Sequence, residues 1–125
     1  MQQQQTIVRG EYDALTVGRD IVDVAVDKKA NDVTLLDLHQ VTTLADCFVI
    51  ATGTSARQIG AISSAIAERM DDLGIHLFAM EGRPDDGWIL LDYGQVIVHI
   101  FGPEERAYYD LERRWSGATT LLTIQ

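Results

Sequence analysis

The segment Ala51–Ser55, A-T-G-T-S, has residue types and spacing that suit phosphate binding. It places a glycine between an apolar stretch and the start of a helical pattern. Such a turn directs backbone N–H groups and the positive end of a helix dipole toward one point, where a phosphate group could bind. The segment lacks the G-x-x-x-x-G-K-[ST] spacing of a P-loop. It therefore predicts either a phosphate site or a plain helix cap formed by Thr54 and Ser55.

This turn looks like the glycine-serine turn that opens nucleotidyltransferase folds. Those enzymes need a pair of acidic residues on the following strand to hold magnesium. The following predicted strand, Ile75–Met80, has no carboxylate pair, and Glu81 stands alone just beyond it. The sequence therefore favours the helix cap, and we predict no catalytic residue and no cofactor. A nucleotide-binding or nucleotidyl-transferring enzyme is the alternative.

The histidines and the cysteine do not form a recognisable site. His39, His76 and His99 lack the spacings of metal-binding motifs, so no metal site is predicted. We interpret His99, inside a predicted strand, as a hydrogen-bonded structural or interface residue. Cys47 is the only cysteine, and it begins an apolar strand where cysteine is commonly a small buried side chain.

The segment Trp88–Phe101 predicts a β-hairpin with two different faces. We place its turn at Tyr93-Gly94, because glycine tolerates positive φ. Asp92 then lies opposite Gln95, and side chains alternate between the faces. One face is aliphatic and is predicted as core: Ile89, Leu91, Val96, Val98 and Ile100. The other face mixes aromatic and polar groups: Trp88, Leu90, Asp92, Gln95, Ile97, His99 and Phe101.

The mixed face is poor core material, because buried polar atoms need partners. Aromatic area and polar atoms suit a protein interface, which is our first interpretation. The alternative is that a helix covers this face and satisfies His99 and Asp92 internally. A turn at Gly94-Gln95 would be expected to exchange the face of one strand relative to the other.

The hydrophobic periodicity predicts three helices and five strands. The expected elements are a helix over about Glu11–Lys29, strands Asp32–Leu38 and Cys47–Thr52, a helix over about Ala56–Leu73, strand Ile75–Met80, the loop Glu81–Gly87, the hairpin, and a helix from Pro103 to about Trp115. The last helix is expected to bury Ala107, Tyr108, Leu111 and Trp115. This order predicts one α/β domain over residues 11–118, a mixed β-sheet with helices packed on it. Residues 1–10 and 119–125 are predicted to be tails.

Composition and charge restrict the classes of function. The chain has 125 residues, 46 % hydrophobic content and a net charge of −9. The acidic residues either form a solvated surface that keeps the protein soluble, which is the commoner case, or complement a basic protein partner. Nucleic-acid phosphates repel an acidic domain, so a basic protein suits it better than RNA. No apolar run approaches the length of a membrane span, and the first residues lack the layout of a signal peptide. With one cysteine, a cytoplasmic location is expected.

Five sequence blocks together resemble the ribosomal silencing factor family, also called RsfS or Iojap. The blocks are Asp46–Ser55 (D-C-F-V-I-A-T-G-T-S), Arg57–Ile59 (R-Q-I), Glu81-Gly82, Trp88–Phe101 (W-I-L-L-D-Y-G-Q-V-I-V-H-I-F) and Arg106–Trp115 (R-A-Y-Y-D-L-E-R-R-W). The resemblance extends from about Ile21 to Trp115 with the motifs in the same order. Cys47 departs from it where an aromatic residue is usual, and Arg114 where an apolar residue is usual.

The resemblance implies a nucleotidyltransferase-like α/β fold without catalytic carboxylates. It implies a non-enzymatic translational repressor that binds the large ribosomal subunit through its ribosomal protein fourteen. Occupying that protein would sterically block joining of the small subunit, with little direct RNA contact. Trp88 and Tyr93 match family positions implicated in the contact, and the face argument adds Asp92, His99 and Tyr109. A large-subunit assembly factor that uses the same surface is an alternative function. Whether the free protein is a monomer or a homodimer is left undecided by the sequence.

Overall fold

The computed structural model describes residues 12–125. Its helices are α1 (Ala14–Asp27), α2 (Ala56–Asp72), α3 (Pro103–Tyr109) and α4 (Leu111–Arg114). Its strands are β1 (Asn31–Asp37), β2 (Cys47–Thr52), β3 (Ala79–Arg83), β4 (Trp88–Asp92), β5 (Val96–Phe101) and β6 (Thr119–Ile124). None of the helices in this range combines the length and apolar character that a membrane crossing needs.

The strands form one six-stranded sheet in the order β3-β4-β5-β2-β1-β6. The pair β2–β5 is parallel, and the other neighbouring pairs are antiparallel. Helices α1 and α2 cover one face and share a core with it, in which Ile21 of α1 and Ile62 of α2 are fully buried. The prediction of a single α/β domain with a mixed sheet and packed helices is therefore confirmed.

A second apolar layer lies on the opposite face of the sheet. Its buried members are Leu36, Leu38, Ala45, Phe48, Ile50 and Phe101. Leu111 and Trp115, from α4 and the residue after it, pack against this layer and are partly buried. Both faces of the sheet are thus covered, but the second face has only short elements over it.

The hairpin turn lies at Gly94-Gln95, one residue later than predicted. The Tyr93 N–H donates to the Val96 carbonyl at 2.9 Å, and Asp92 pairs with Ile97 rather than Gln95. The expectation that such a turn exchanges the faces is wrong. Moving a two-residue turn by one position shifts the pairing by two residues, which preserves the alternation. The change adds Tyr93 to the aliphatic face.

Helix α2 begins and ends as predicted. The Ser55 hydroxyl accepts a hydrogen bond from the Gln58 backbone N–H at 3.1 Å, the geometry of an N-cap. Gly74 has a φ of 73° just past the helix, and the Ile75 N–H bonds to the Met70 carbonyl. Ile75 is buried as the hydrophobic contact that accompanies such an ending. Ile75 thus belongs to the ending of α2, and strand β3 begins only at Ala79.

Three predicted boundaries are wrong on the C-terminal side of α2. The third strand is Ala79–Arg83 instead of Ile75–Met80, and it takes up part of the predicted loop. Its glycine and charged residues are poor strand formers, so the sequence pattern does not indicate a strand at these positions. The last helix breaks at Asp110, where a φ of 48° redirects the chain. Ala107 and Tyr108 are consequently exposed instead of buried.

The predicted C-terminal tail over residues 119–125 is also wrong. Thr119–Ile124 form β6, which pairs antiparallel with β1. A register shift between Leu35 and Leu36 of β1 interrupts the pairing. The segment T-T-L-L-T-I therefore lacks the strict apolar–polar alternation by which strands are recognised. The predicted N-terminal tail, residues 1–10, lies outside the described residues.

Candidate functional site

A row of aromatic side chains crosses the sheet face opposite α1 and α2. We define the aromatic row as Trp115, Phe48, His99, Phe101, Tyr109 and Trp88. Neighbouring ring centroids lie 5.5, 4.8, 5.8, 5.6 and 6.4 Å apart in that order. The row is brought together by β2, β4 and β5 together with the α3–α4 segment, so sequence-distant residues form one surface.

One end of the aromatic row reaches solvent. Tyr109 is 41 % exposed, and its neighbour Tyr108 is 78 % exposed and packs edge-on against it at 5.1 Å. Trp88 is partly buried beside Tyr109 and pairs with Phe101 across the strands. Large aromatic side chains that are only partly covered are typical of protein interfaces. We name Trp88, Tyr108 and Tyr109 the aromatic rim.

Acidic groups lie beside this rim. The Glu105 carboxylate packs against Gly87, the residue before Trp88, so closely that a Cβ atom there would lie 2.6 Å from both oxygens. Gly87 has a φ of 73°, which also favours glycine. Asp110 follows Tyr109 directly and forms an ion pair with Arg113 at 3.0 Å. The rim therefore combines aromatic area with the negative charge of Glu105, while Arg113 balances the charge of Asp110.

His99 lies in the buried middle of the row and is 8 % exposed. Its ring stacks on Phe101 with an interplanar angle of 12° and meets Phe48 edge-on. Neither ring nitrogen has a hydrogen-bond partner among the described residues. The prediction of a hydrogen-bonded His99 is thus wrong. Trp115 and α4 cover this face, but they do not supply hydrogen-bond partners to the His99 ring. Burial lowers the pKa of His99 to about 4.

Tyr93 is not part of the exposed surface. It is 1 % exposed and belongs to the core beneath α1 and α2. The shifted turn explains this, because it places Tyr93 opposite Val96 on the aliphatic face. Burial raises the pKa of the Tyr93 hydroxyl to about 12. The expectation that Tyr93 is an exposed interface anchor is wrong.

Asp92 has a defined local role. One carboxylate oxygen accepts the Gly94 backbone N–H at 2.8 Å and stabilises the hairpin turn. The residue is partly exposed, so its second oxygen can still meet a partner. Asp92 is thus both a turn residue and a candidate contact.

Arg106 fixes α3 and α4 against the sheet, a role that the sequence analysis does not predict. Its guanidinium donates to the Thr52 hydroxyl at 2.9 Å, to the Thr34 hydroxyl at 3.2 Å and to the Asp32 carbonyl. It also pairs with Glu112 of α4 at 2.6 Å, with only 12 % of its side chain exposed. These contacts tie β1 and β2 to α3 and α4, which carry Tyr109. No local pattern reveals them, because the partners are far apart in sequence.

The glycine turn at Gly53 is closed by Gln58. The Gln58 side-chain oxygen accepts the Thr54 N–H at 2.7 Å and the Thr54 hydroxyl at 3.1 Å. Its amide nitrogen donates to the Lys28 and Lys29 carbonyls at the end of α1. The cleft beside the turn contains the carboxylate residues Asp85 and Glu105 but no lysine or arginine among its described lining residues. A phosphate group would be repelled there, which agrees with a helix cap.

Within residues 12–125, no group of three or more histidine, cysteine or acidic side chains could hold a metal ion. Cys47 is buried and donates to the Ala14 carbonyl at 3.6 Å. Burial raises the pKa of its thiol to about 12, so the reactive thiolate is disfavoured.

Comparison with known proteins identifies the family. A family profile described as "Ribosomal silencing factor during starvation" matches residues 12–124. The ribosomal silencing factor RsfS of Bacillus subtilis is 41 % identical over 92 residues, which cover 74 % of this chain and 78 % of the relative. A crystal structure of a Chromobacterium violaceum protein superposes with a TM-score of 0.80 at 30 % identity, covering 84 % of this chain and 88 % of that one.

A more distant relative carries a different name. The mouse mitochondrial assembly of ribosomal large subunit protein 1 is 27 % identical over 99 residues, covering 77 % of this chain but 43 % of that protein. The residues that the profile matches include the aromatic row and the Gly53 turn. The chain belongs to the ribosomal silencing factor family.

Proposed function

We propose that this protein represses translation by binding ribosomal protein fourteen of the large subunit and sterically blocking the small subunit. The observation that carries the proposal is the aromatic rim of Trp88, Tyr108 and Tyr109, which lies beside acidic groups on a protein of net charge −9. Aromatic anchors supply contact area, and negative charge favours a basic protein over phosphate-rich RNA. Membership of the ribosomal silencing factor family supports the same conclusion.

The proposed mechanism requires no chemical step. A bound domain of 13.9 kDa occupies the joining surface, so the small subunit is excluded by volume. The Gly53 turn supports this non-enzymatic role, because Gln58 bonds to it and carboxylates line its cleft. We place the action in the cytoplasm, where free large subunits are available.

The residues proposed for direct contact are chosen by their exposure. Trp88 and Tyr109 are the anchors, with Tyr108 added because it is the most exposed aromatic of the rim. Asp92 is proposed as an electrostatic contact. His99 stacks on Phe101, which in turn stacks on Tyr109 of the rim, whereas Tyr93 lies in the core on the opposite face of the hairpin.

Sedimentation with separated ribosomal subunits tests the proposal. The protein is expected to co-sediment with free large subunits and to reduce reassociated ribosomes in a gradient. A Tyr109→Ala variant should lose both effects, while Leu44→Ala, a change at an 80 % exposed residue outside the aromatic rim, should retain them. Equal co-sedimentation with small subunits and intact ribosomes would contradict the proposal.

Assembly of the large subunit is a second candidate function. The name of the mouse relative favours it, and the same aromatic rim would serve. The two functions differ in the particle bound. A repressor binds mature large subunits and prevents their joining, whereas an assembly factor leaves when maturation is complete. Binding titrations against mature and immature large subunits therefore distinguish them.

A further inference from the structure

His99 is a buried polar side chain that the fold leaves without hydrogen bonds. It is 8 % exposed, and neither ring nitrogen has a partner among the described residues. A neutral imidazole carries one N–H donor and one acceptor nitrogen, and buried groups of both kinds are nearly always paired in native proteins. The two unpaired nitrogens therefore call for an explanation.

Other buried polar side chains of the same sheet are paired. Thr34 and Thr52 are 5 and 4 % exposed, and both hydroxyl groups accept hydrogen bonds from Arg106. The rings of Phe48 and Phe101 contact His99, and they would pack equally well against an apolar ring. Within the described part of the chain, the imidazole nitrogens thus add no hydrogen bond to the fold.

The covering over His99 is short in comparison with the helices on the other face of the sheet. We define the cover segment as residues 111–118, which place Leu111 and Trp115 against the apolar layer around His99. It contains the four residues of α4, whereas α1 and α2 have 14 and 17 residues. Trp115 packs edge-on against Phe48 at 5.5 Å, and Phe48 packs against the His99 ring at 4.8 Å. Displacement of Trp115 would therefore open this face of the sheet beside His99.

The cover segment is anchored at its beginning. The Glu112 carboxylate accepts a hydrogen bond from the Arg106 guanidinium at 2.6 Å. Beyond that anchor, Trp115 donates its backbone N–H to the Leu111 carbonyl, which lies within the same segment. Rotation of the Trp115 side chain away from Phe48 therefore breaks neither of these bonds.

We propose that His99 is a hydrogen-bond acceptor for an arginine side chain of the partner protein, which reaches it when Trp115 turns away from Phe48. This inference rests on the proposed function, because the arginine belongs to the basic protein that the aromatic rim binds. An arginine guanidinium carries only donors, so it matches the acceptor nitrogen of a neutral imidazole. The contact with the partner then extends from the rim into the middle of the aromatic row.

The surroundings of His99 suit a guanidinium better than an ammonium group. A guanidinium is planar, is more weakly hydrated and stacks on aromatic faces, and His99 lies between Phe48 and Phe101 in the aromatic row. The net charge of −9 attracts an approaching cation. Burial lowers the pKa of His99 to about 4, so the imidazole is neutral at neutral pH and does not repel the guanidinium.

His99→Phe tests the inference with isolated ribosomal protein fourteen as the probe. Phenylalanine keeps a planar ring without nitrogen atoms, so the variant should fold at least as stably as the wild type, because no polar group remains unpaired. Its affinity for ribosomal protein fourteen should fall by about tenfold, the loss expected for a charge-assisted hydrogen bond. Ile97→Leu is the matched control, since Ile97 packs against the same apolar layer and the change conserves volume. It should leave the affinity unchanged, and wild-type affinity in His99→Phe would overturn the inference.

Nitrogen-15 NMR of the wild-type protein tests the same contact without a substitution. The signal of the acceptor nitrogen of His99 should move upfield when ribosomal protein fourteen is added, because that nitrogen gains a hydrogen bond. The indole N–H signal of Trp115 should shift as well, because its ring leaves Phe48. The exposed rings of His39 and His76 are internal controls and should not change. An unchanged His99 ring in a saturated complex would overturn the inference.

A double-mutant cycle identifies the arginine. Each arginine of ribosomal protein fourteen is changed to alanine in turn and combined with His99→Phe. One arginine should be coupled to His99, since both changes then remove the same contact, whereas the others should be additive. Additivity at every arginine would overturn the inference and leave the proposed function intact. A wild-type protein that binds neither ribosomal protein fourteen nor large subunits would overturn the proposed function, and the inference with it.

Discussion

The Tyr12 hydroxyl joins the start of the described chain to the hairpin through Tyr93. It donates to the Tyr93 carbonyl at 2.6 Å and accepts the Val96 N–H at 3.2 Å. One side chain thus bonds to the backbone on both sides of the turn. Burial raises the pKa of this hydroxyl to about 12, so it stays protonated in neutral solution.

We predict that Tyr12→Phe destabilises the protein by about 1–3 kcal/mol, because it leaves the Val96 N–H and one bond of the Tyr93 carbonyl unsatisfied. Urea denaturation measures the free energy of unfolding. Tyr108→Phe removes a hydroxyl from a 78 % exposed residue and should change stability little. Equal stability of the two variants would show that the Tyr12 hydroxyl contributes nothing.

Trp88→Ala and Tyr93→Ala should separate binding from folding. Trp88→Ala removes an anchor of the aromatic rim and should weaken large-subunit binding by about 2–4 kcal/mol, roughly 30- to 1,000-fold. Tyr93→Ala should instead cost about 3–5 kcal/mol of folding stability, because it opens a cavity in the core. Thermal melts combined with binding titrations below the melting transition measure both. A Tyr93→Ala protein that is fully stable but does not bind would contradict the assignment.

Asp92→Asn tests the charge of Asp92 without removing its hydrogen bond to Gly94. The amide oxygen can still accept the Gly94 N–H, so we expect stability to change little. If Asp92 faces a basic partner, binding should weaken more at low salt than at high salt, because salt screens the lost attraction. Titrations at two ionic strengths measure this. A salt-independent loss would limit Asp92 to its role in the turn.

His99 should make the protein sensitive to acid. The folded state holds its pKa near 4, while the unfolded chain has the ordinary value of about 6.5. Between these values the unfolded state binds more protons, so stability falls as pH falls from about 6.5 toward 4, and the contribution is on the order of 3 kcal/mol. His99→Phe should flatten this part of the stability–pH curve, as measured by urea denaturation at several pH values. An unchanged curve would assign the acid sensitivity to other groups.

Arg106→Leu should be strongly destabilising, on the order of 3 kcal/mol, because it leaves the buried hydroxyl groups of Thr34 and Thr52 and the Glu112 carboxylate without their donor. Arg106→Lys should recover only part of this, since one ammonium cannot reproduce the branched geometry. Arg113→Ala, which removes an ion pair at an 85 % exposed side chain, is the matched control and should change stability by less than about 1 kcal/mol. Thermal melts of the three variants make the comparison.

The elements with strong periodicity or cap residues could be predicted from the sequence. The stripe of Ile59, Ile62 and Ile66 and the Ser55 cap define α2, and the apolar run Cys47–Thr52 defines β2. The hairpin faces were also predictable, because alternation survives an error in the position of the turn. The positions of β3 and β6 could not be predicted, since irregular edge strands lack a regular alternation of apolar and polar residues.

The candidate site was less predictable than the fold. Trp88 and Tyr109 share a face because β4 and the α3–α4 segment meet there, and no local pattern encodes that meeting. Tyr93 was misplaced because sequence alone does not distinguish a turn at residue 93 from one at residue 94. The role of Arg106 could not be predicted, because its partners Thr34 and Thr52 become neighbours only in the folded chain.

The pairing of β1 with β6 has a consequence for the order of folding. These neighbours in the sheet come from opposite ends of the described chain, whereas the β4–β5 hairpin can close locally. Contacts between distant segments form late, because the long intervening loop must first lose its conformational freedom. During synthesis, β1 therefore emerges from the ribosome long before its partner strand exists. Until β6 arrives, the backbone N–H and C=O groups on that edge of β1 stay unpaired and open to other unfinished chains nearby.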